Sequence, residues 1–257
     1  MVTAAELLDV LWRDYVAASP QAEAIRYALA ARGEILSNDH VALRTFALPG
    51  VAADALARPF EALGWRRCVP DEVHGAVRAC CWHHDDAALP WVMISELAID
   101  ALSPSAQAVI RALVDQQPAP AQRGALPYDR PWRPSYADYC MLLAESEHAA
   151  WVAAFGLRAN HFTIDVAALS TFPDLVALDA FLVEHGVPLD DSGGAIKGSP
   201  AARLEHSTTR PDRVAVEFDD ATVRIPSCYY ELVRRYAPGE RRCAGGASAH
   251  GDRDVHK

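Results

Sequence analysis

The chain has 257 residues, of which 51% are hydrophobic, a formal net charge of -10 and a pI near 5.4. That length and apolar content support a substantial core in one large domain, and the acidic balance argues against nucleic acid or an anionic membrane surface as a partner. No apolar stretch approaches the roughly 20 residues that cross a bilayer, so the chain reads as a cytoplasmic protein.

Residues 1–33 predict two helices, because Leu7, Leu8, Leu11, Trp12 and Tyr15 recur at helical spacing and Ser19-Pro20 separates them. Gly33 ends the second, and Ser37-Asn38-Asp39 leads into a strand from His40 to Phe46. Alternation puts His40, Ala42 and Arg44 on one face of that strand and Val41, Leu43 and Thr45 on the other. A helix from Val51 to Leu63 and three strands, at Trp65–Val69, Ala76–His83 and Trp91–Leu97, complete a first β-α-β-β-β unit over residues 37–100, with a turn at Asp71–Gly75. Residues 101–155 form a helical insert. A helix starts at Ser103-Pro104, five prolines from Pro118 to Pro134 keep the middle irregular, and a second helix runs from Tyr136 to Phe155.

The first pattern then returns over residues 156–236. A strand around His161 precedes a helix from Phe172 to Glu184, a loop with Gly193-Gly194, and strands at Leu204–Thr209, Val214–Phe218 and Val223–Arg234. A β-α-β-β-β unit repeated once, each copy opening on a histidine strand, is the organising feature. The expected class is α+β, with two such modules curled into a half-open barrel and the N-terminal and inserted helices packed over it. Residues 1–240 read as a single catalytic domain and 241–257 as a disordered tail. The six cysteines contain no C-x-x-C pair and are read as reduced thiols, with Cys228 notable for its closeness to Glu231.

Two imidazoles, His40 and His161, and one carboxylate, Glu231, are the candidate metal ligands; Glu205 and Glu217 compete for the carboxylate role. Such a set leaves open positions on an octahedral ion, as in non-haem Fe(II) oxygenases, whereas zinc would prefer four ligands. Arg44, two steps beyond Ala42 on the histidine's face, is either a substrate clamp or one half of a rim ion pair. The other histidines, His148 among them, are read as solvated or loop residues without chemistry.

Several ordered motifs resemble the 2-oxoadipate dioxygenase/decarboxylase family of the vicinal oxygen chelate superfamily. They are Asn38-Asp39-His40 through Phe46, Ile94-Ser95-Glu96-Leu97, Asn160-His161-Phe162-Thr163, Ser192-Gly193-Gly194 through Pro200, and Tyr229-Tyr230-Glu231. The resemblance implies Fe(II) held by His40, His161 and Glu231, with Arg44 gripping the distal carboxylate of a 2-oxo acid and Lys197, Ser199 and His206 contributing to substrate binding. His206 departs from the glutamine usual in the family. The implied reaction uses O2 to convert 2-oxoadipate to 2-hydroxyglutarate and CO2, with no separate 2-oxoglutarate. A glyoxalase-type isomerase or lyase, or a non-catalytic binder of small ligands, is the alternative on the same scaffold.

Overall fold

The computed structural model describes residues 2–118 and 128–236. The tail at 241–257 and part of the proline-rich segment lie outside the described residues. Helix α1 (Ala4–Ala18) starts at Thr3, whose hydroxyl accepts from the Glu6 amide while the Glu6 carboxylate accepts from the Thr3 amide. Pro20 opens α2 (Pro20–Ala31) at a position where no amide is needed. Leu7, Leu11 and Tyr15 of α1, with Ile25 and Leu29 of α2, are fully buried.

The central element is β1 (Asn38–Phe46). After it come α3 (Ala53–Glu61), β2 (Arg66–Arg67), β3 (Glu72–His74), β4 (Val77–His83), β5 (Trp91–Leu97) and α4 (Pro104–Val114). The insert continues with α5 (Tyr136–Glu145) and α6 (Glu147–Phe155), and the second module holds β6 (Ala159–Asp165), α7 (Leu175–Glu184), β7 (Lys197–Ser199), β8 (Leu204–Thr208), β9 (Arg213–Glu217), β10 (Thr222–Pro226) and β11 (Glu231–Arg235).

Nine of these strands form one mixed sheet in the order β2-β4-β5-β1-β6-β11-β8-β7, with β3 pairing on β4. Each module repeats one plan: its histidine strand pairs in parallel with its last strand, β1 with β5 and β6 with β11, and the outer strands follow antiparallel. The two histidine strands pair antiparallel at the centre. The path ends at β2 and β7 without closing, so the barrel is open.

Three local expectations are corrected. The segment Asp71–Gly75, read as a turn, contains β3, an edge strand that pairs with β4 up to His74 opposite Val77. The helix read as continuous from Tyr136 to Phe155 breaks at Ser146, which takes an extended conformation (φ -155°) and caps α6 through its hydroxyl. The strand read from Val223 to Arg234 is two strands. Pro226 has no amide to continue a ladder, and residues 227–230 turn the chain from β10 back into the main sheet. β9 and β10 thus leave that sheet and form a separate hairpin, with Phe218 packed against Tyr136 and Tyr139.

Helices cover the face that bears Val41, Leu43, Phe162 and Ile164, where Trp12 meets Phe162 edge-on at 5.1 Å. Tyr15 on α1 donates to the Tyr229 carbonyl at 2.5 Å and Trp151 on α6 to the Ser227 carbonyl at 2.8 Å, so both helices fix the corner that enters β11. On the opposite face lies a second, smaller apolar cluster of Ala42, Cys81 and Met93, with Cys68 and Trp91 against it.

Candidate metal centre

His40, His161 and Glu231 come from three consecutive strands, β1, β6 and β11, and each offers a ligand atom within 4.8 Å of the others. All three are buried, Glu231 to 1% exposure. Glu231 Oε2 lies 3.3 Å from Nε2 of each histidine.

The imidazoles are aimed by a matched pair of β-bulges. The β1–β6 register slips once at Asp39 and once at Asn160, the residues immediately before the histidines. A bulge re-aims side chains next to a site, and here each extra residue reaches the histidine that follows it. His40 Nδ1 donates to Asp39 Oδ1 at 2.8 Å, and His161 Nδ1 to Asn160 Oδ1 at 2.9 Å. With Nδ1 engaged, Nε2 is the atom each ring presents to the cluster. Asp39 is in turn gripped by Arg235, whose Nε and Nη2 donate to its two oxygens at 2.8 and 2.9 Å.

Thr163 completes the frame. It is fully buried opposite His40, donates to Glu231 Oε2 at 2.9 Å and stands 3.1 Å from His40 Nε2. His206 approaches from the other side. Its Nδ1 is 2.9 Å from Glu231 Oε1, close enough for an ion pair, yet without the alignment of a hydrogen bond.

This packing separates the charges. Burial alone would raise the Glu231 carboxyl, but contacts from His161, His206 and His40 hold it well below the usual range. Burial opposes charge on His40 too, and hydrogen bonds to Asp39 and Glu231 override it, pushing the imidazole up to about 9. His161 has only a neutral amide behind it, and burial pulls it down to about 4 against the pull of Glu231. A preassembled anion between two imidazoles is a donor set that suits a divalent ion of borderline softness.

Arg44 shares the face of His40 and is half-buried, with its guanidinium carbon 5.9 Å from the Trp151 ring centre. Among the described residues it forms no ion pair within 4 Å. Lys197 donates to Asp190 at 3.3 Å, and the Ser199 hydroxyl accepts from the Ala202 amide in a local turn. The competing acids face elsewhere: Glu217 pairs with Arg133 on the surface and Glu205 accepts from Tyr236. Glu96 accepts from the Ala53 amide and pairs with Arg78, which makes it an anchor for α3. Burial pushes the Cys228 thiol up to about 12, so it is a packing residue.

One reading needs correction. His148 is neither solvated nor on a loop. It is buried on α6 with Nε2 2.9 Å from the Thr45 carbonyl, and burial lowers it to about 3. Sequence reasoning also missed the supporting roles of Asp39, Asn160, Thr163 and Arg235. A signal was available: in both modules a residue bearing a side-chain carbonyl directly precedes the histidine.

An open two-module sheet of this kind, with two histidines and a carboxylate at its centre, defines a vicinal-oxygen-chelate-like protein. The family model for 2-oxoadipate dioxygenase/decarboxylase matches residues 125–244. A chloroplastic 2-oxoadipate dioxygenase/decarboxylase of Arabidopsis thaliana is 32% identical over 223 residues, covering 78% of this chain and 59% of the plant protein. The chain thus spans about three-fifths of the length of that relative. Among solved structures, a Shewanella frigidimarina protein with a provisional hydrolase designation is 39% identical with a TM-score of 0.88, covering 93% of this chain and 95% of that one. The Oryza sativa hydroxyglutarate synthase in complex with 2-oxoadipate is 27% identical with a TM-score of 0.79, covering 92% and 83%. The chain belongs to the 2-oxoadipate dioxygenase/decarboxylase family.

Proposed function

We propose that this protein is an Fe(II)-dependent dioxygenase that oxidatively decarboxylates a 2-oxo dicarboxylic acid, with 2-oxoadipate and O2 giving 2-hydroxyglutarate and CO2. The observation that carries the reading is the buried cluster of His40, His161 and Glu231 with Arg44 on the same face of the sheet. The donor set fits a first-row divalent ion, and the three side chains would hold it. Bound iron(II) would supply the activation of oxygen, while the four electrons that reduce O2 come from the substrate, two from loss of CO2 and two from hydroxylation of the shortened chain.

The protein's own groups do the rest. Asp39 and Asn160 keep both imidazoles in the orientation that presents Nε2, and Thr163 and His206 steady the two oxygens of Glu231. Arg44 offers a forked pair of donors to the distal carboxylate. His40 and Arg44 are about 13 Å apart along the strand at roughly 3.3 Å per residue, a span that leaves room for a five- or six-carbon diacid once both side chains lean inward. Lys197 and Ser199, on an edge strand, are proposed to act when the substrate enters.

A glyoxalase-type reaction is the weaker reading, because it calls for a further carboxylate in the first module. The register puts Met93 of β5 beside Ala42, as it puts Glu231 of β11 beside Thr163. The position equivalent to Glu231 therefore holds a thioether. A purely binding role would leave three buried ligand groups without use. No helix among the described residues is long and apolar enough to cross a membrane; the cytoplasmic location is part of this proposal, although the plant relative is chloroplastic.

The test is oxygen uptake with 2-oxoadipate after reconstitution with Fe(II). Stoichiometric 2-hydroxyglutarate and CO2 without added 2-oxoglutarate are expected, and chelation should abolish turnover. Full activity after exhaustive chelation, or an absolute need for 2-oxoglutarate, contradicts the proposal.

A further inference from the structure

Ala42 stands where the arms of the site cross. Across one strand boundary it faces His161 on β6, across the other it faces Met93 on β5, and along β1 it is flanked by His40 and Arg44. Strands are spaced about 4.8 Å apart and alternate residues about 6.6 Å apart. The Ala42 methyl group therefore lies at the middle of a cross roughly 10 Å by 13 Å. Every neighbour at the tips is larger. Val41 and Leu43 belong to the main core on the other face, whereas Ala42 belongs to the small cluster with Met93 and Cys81. It keeps 8% exposure where Val41 and Leu43 keep none. The result is a shallow trough with a methyl floor and a thioether wall, running from the imidazoles toward the guanidinium.

We propose that Ala42 sets the length and the polarity of the linker that the site accepts. The inference rests on the dioxygenase reading and adds a residue to it. A substrate whose oxo-acid end lies at the histidine cluster and whose far carboxylate lies at Arg44 must pass over position 42. A methyl floor offers no hydrogen-bonding partner, so an unsubstituted methylene linker loses nothing there. A hydroxyl or ammonium group on the linker would be stripped of water without replacement. Enlarging the side chain fills the trough from below and leaves the imidazoles in place.

The experiment titrates Co(II)-loaded wild type, Ala42→Val and Ala42→Leu with two probes, followed by visible absorption. Oxalate is a two-carbon chelator with no linker; 2-oxoadipate has one. Metal uptake and oxalate affinity should stay within threefold of wild type in both variants. Affinity for 2-oxoadipate should fall at least tenfold with Val and further with Leu, while Ala42→Gly keeps it. Val is a good strand former and decides the matter if the Leu variant does not fold. Unchanged 2-oxoadipate affinity in the Val variant overturns the inference, as does an equal loss for both probes or a loss of metal uptake. Wild-type protein that binds metal but neither acid overturns the dioxygenase reading and this inference with it, a result seen before any substitution is made.

Discussion

Two residues beyond the histidine, the first module has Ala42 and the second has Thr163. One residue before it they have Asp39 and Asn160, and beside the +2 position they have Met93 and Glu231. The backbone plan is shared down to the paired bulges, so these three pairs isolate what side chains alone contribute. The second module supplies the third ligand and the hydroxyl that steadies it. The first supplies open floor, an apolar wall and, through Arg44, a cation. On the proposed function the two modules contribute unequally: each gives one histidine, the second adds the carboxylate and the first adds the methyl floor and the cation, across the antiparallel β1–β6 pair.

The largest expected effect comes from the carboxylate that the second module adds to the two histidines. Glu231→Ala should weaken uptake of Mn(II) or Co(II), measured calorimetrically, by more than the roughly 10–100-fold typical of losing an outer partner. Met93→Leu, at the matching position, should leave uptake within threefold. Equal losses at the two positions would mean that Met93 and Glu231 contribute alike and that the modules do not differ at this position.

Asp39→Asn comes next. It makes the first module imitate the second by placing an amide behind each imidazole, and it removes the carboxylate that Arg235 holds with two hydrogen bonds. A weakening of metal affinity of about 10–100-fold is expected. The same carboxylate matters for folding. Its pKa is held well below the ordinary range by His40 and Arg235 against the opposing effect of burial. Its stabilisation is therefore present above the unfolded value near 3.9 and is lost as pH falls below it. Acid unfolding of the metal-free protein should show a smaller pH dependence in the variant, and an unchanged curve would detach Asp39 from stability.

Arg44→Ala tests the cation that the first module adds. It should lower kcat/KM for 2-oxoadipate at least about tenfold, equivalent to 1.4 kcal/mol, with metal content near wild type. Discrimination against a monocarboxylic 2-oxo acid of equal length should narrow. Retention of both rate and discrimination would make Arg44 a rim residue.

The difference between the two modules was only partly legible in the sequence. The histidine strands announced themselves because alternation over Val41, Leu43 and Thr45 leaves one face for His40 and Arg44. Duplication then made His161 the natural counterpart. Periodicity reports that a segment has one buried face, however, and says nothing about which sheet it joins. Val214–Phe218 and Val223–Ile225 alternate as sheet strands should, yet among the described residues they pair with each other and not with the main sheet. His148 looked like one more polar residue, and only the packing of α6 against β1 shows that it is buried. Asp39 and Asn160 gain their roles from bulges, which depend on the register between strands far apart in the chain.

The smallest effect is also the finest test of the asymmetry. In the metal-free site at pH 7, His40, pushed up to about 9, carries a proton, and His161, pulled down to about 4, does not. Glu231 is already ionised, since its contacts hold it well below the usual range. A metal ion must displace whatever protons its ligands carry, so uptake at pH 7 should release about one proton. Calorimetry in buffers of different ionisation enthalpy measures this number directly. The sign follows from the two shifts: release should fade as pH rises through about 9, where His40 is already neutral, and should grow toward two as pH drops to about 4, where His161 also charges. The proton on His40 has a stability counterpart in the metal-free protein. Its ion pairs contribute fully below the unfolded value near 6.5 and are lost as pH rises through about 9. Asp39→Asn should lower the His40 pKa and bring proton release at pH 7 toward zero, because both imidazoles would then be backed by amides. Release of two protons, or of none, from the wild-type protein at pH 7 would show that the two histidines titrate alike and that the Asp39/Asn160 difference has no electrostatic consequence.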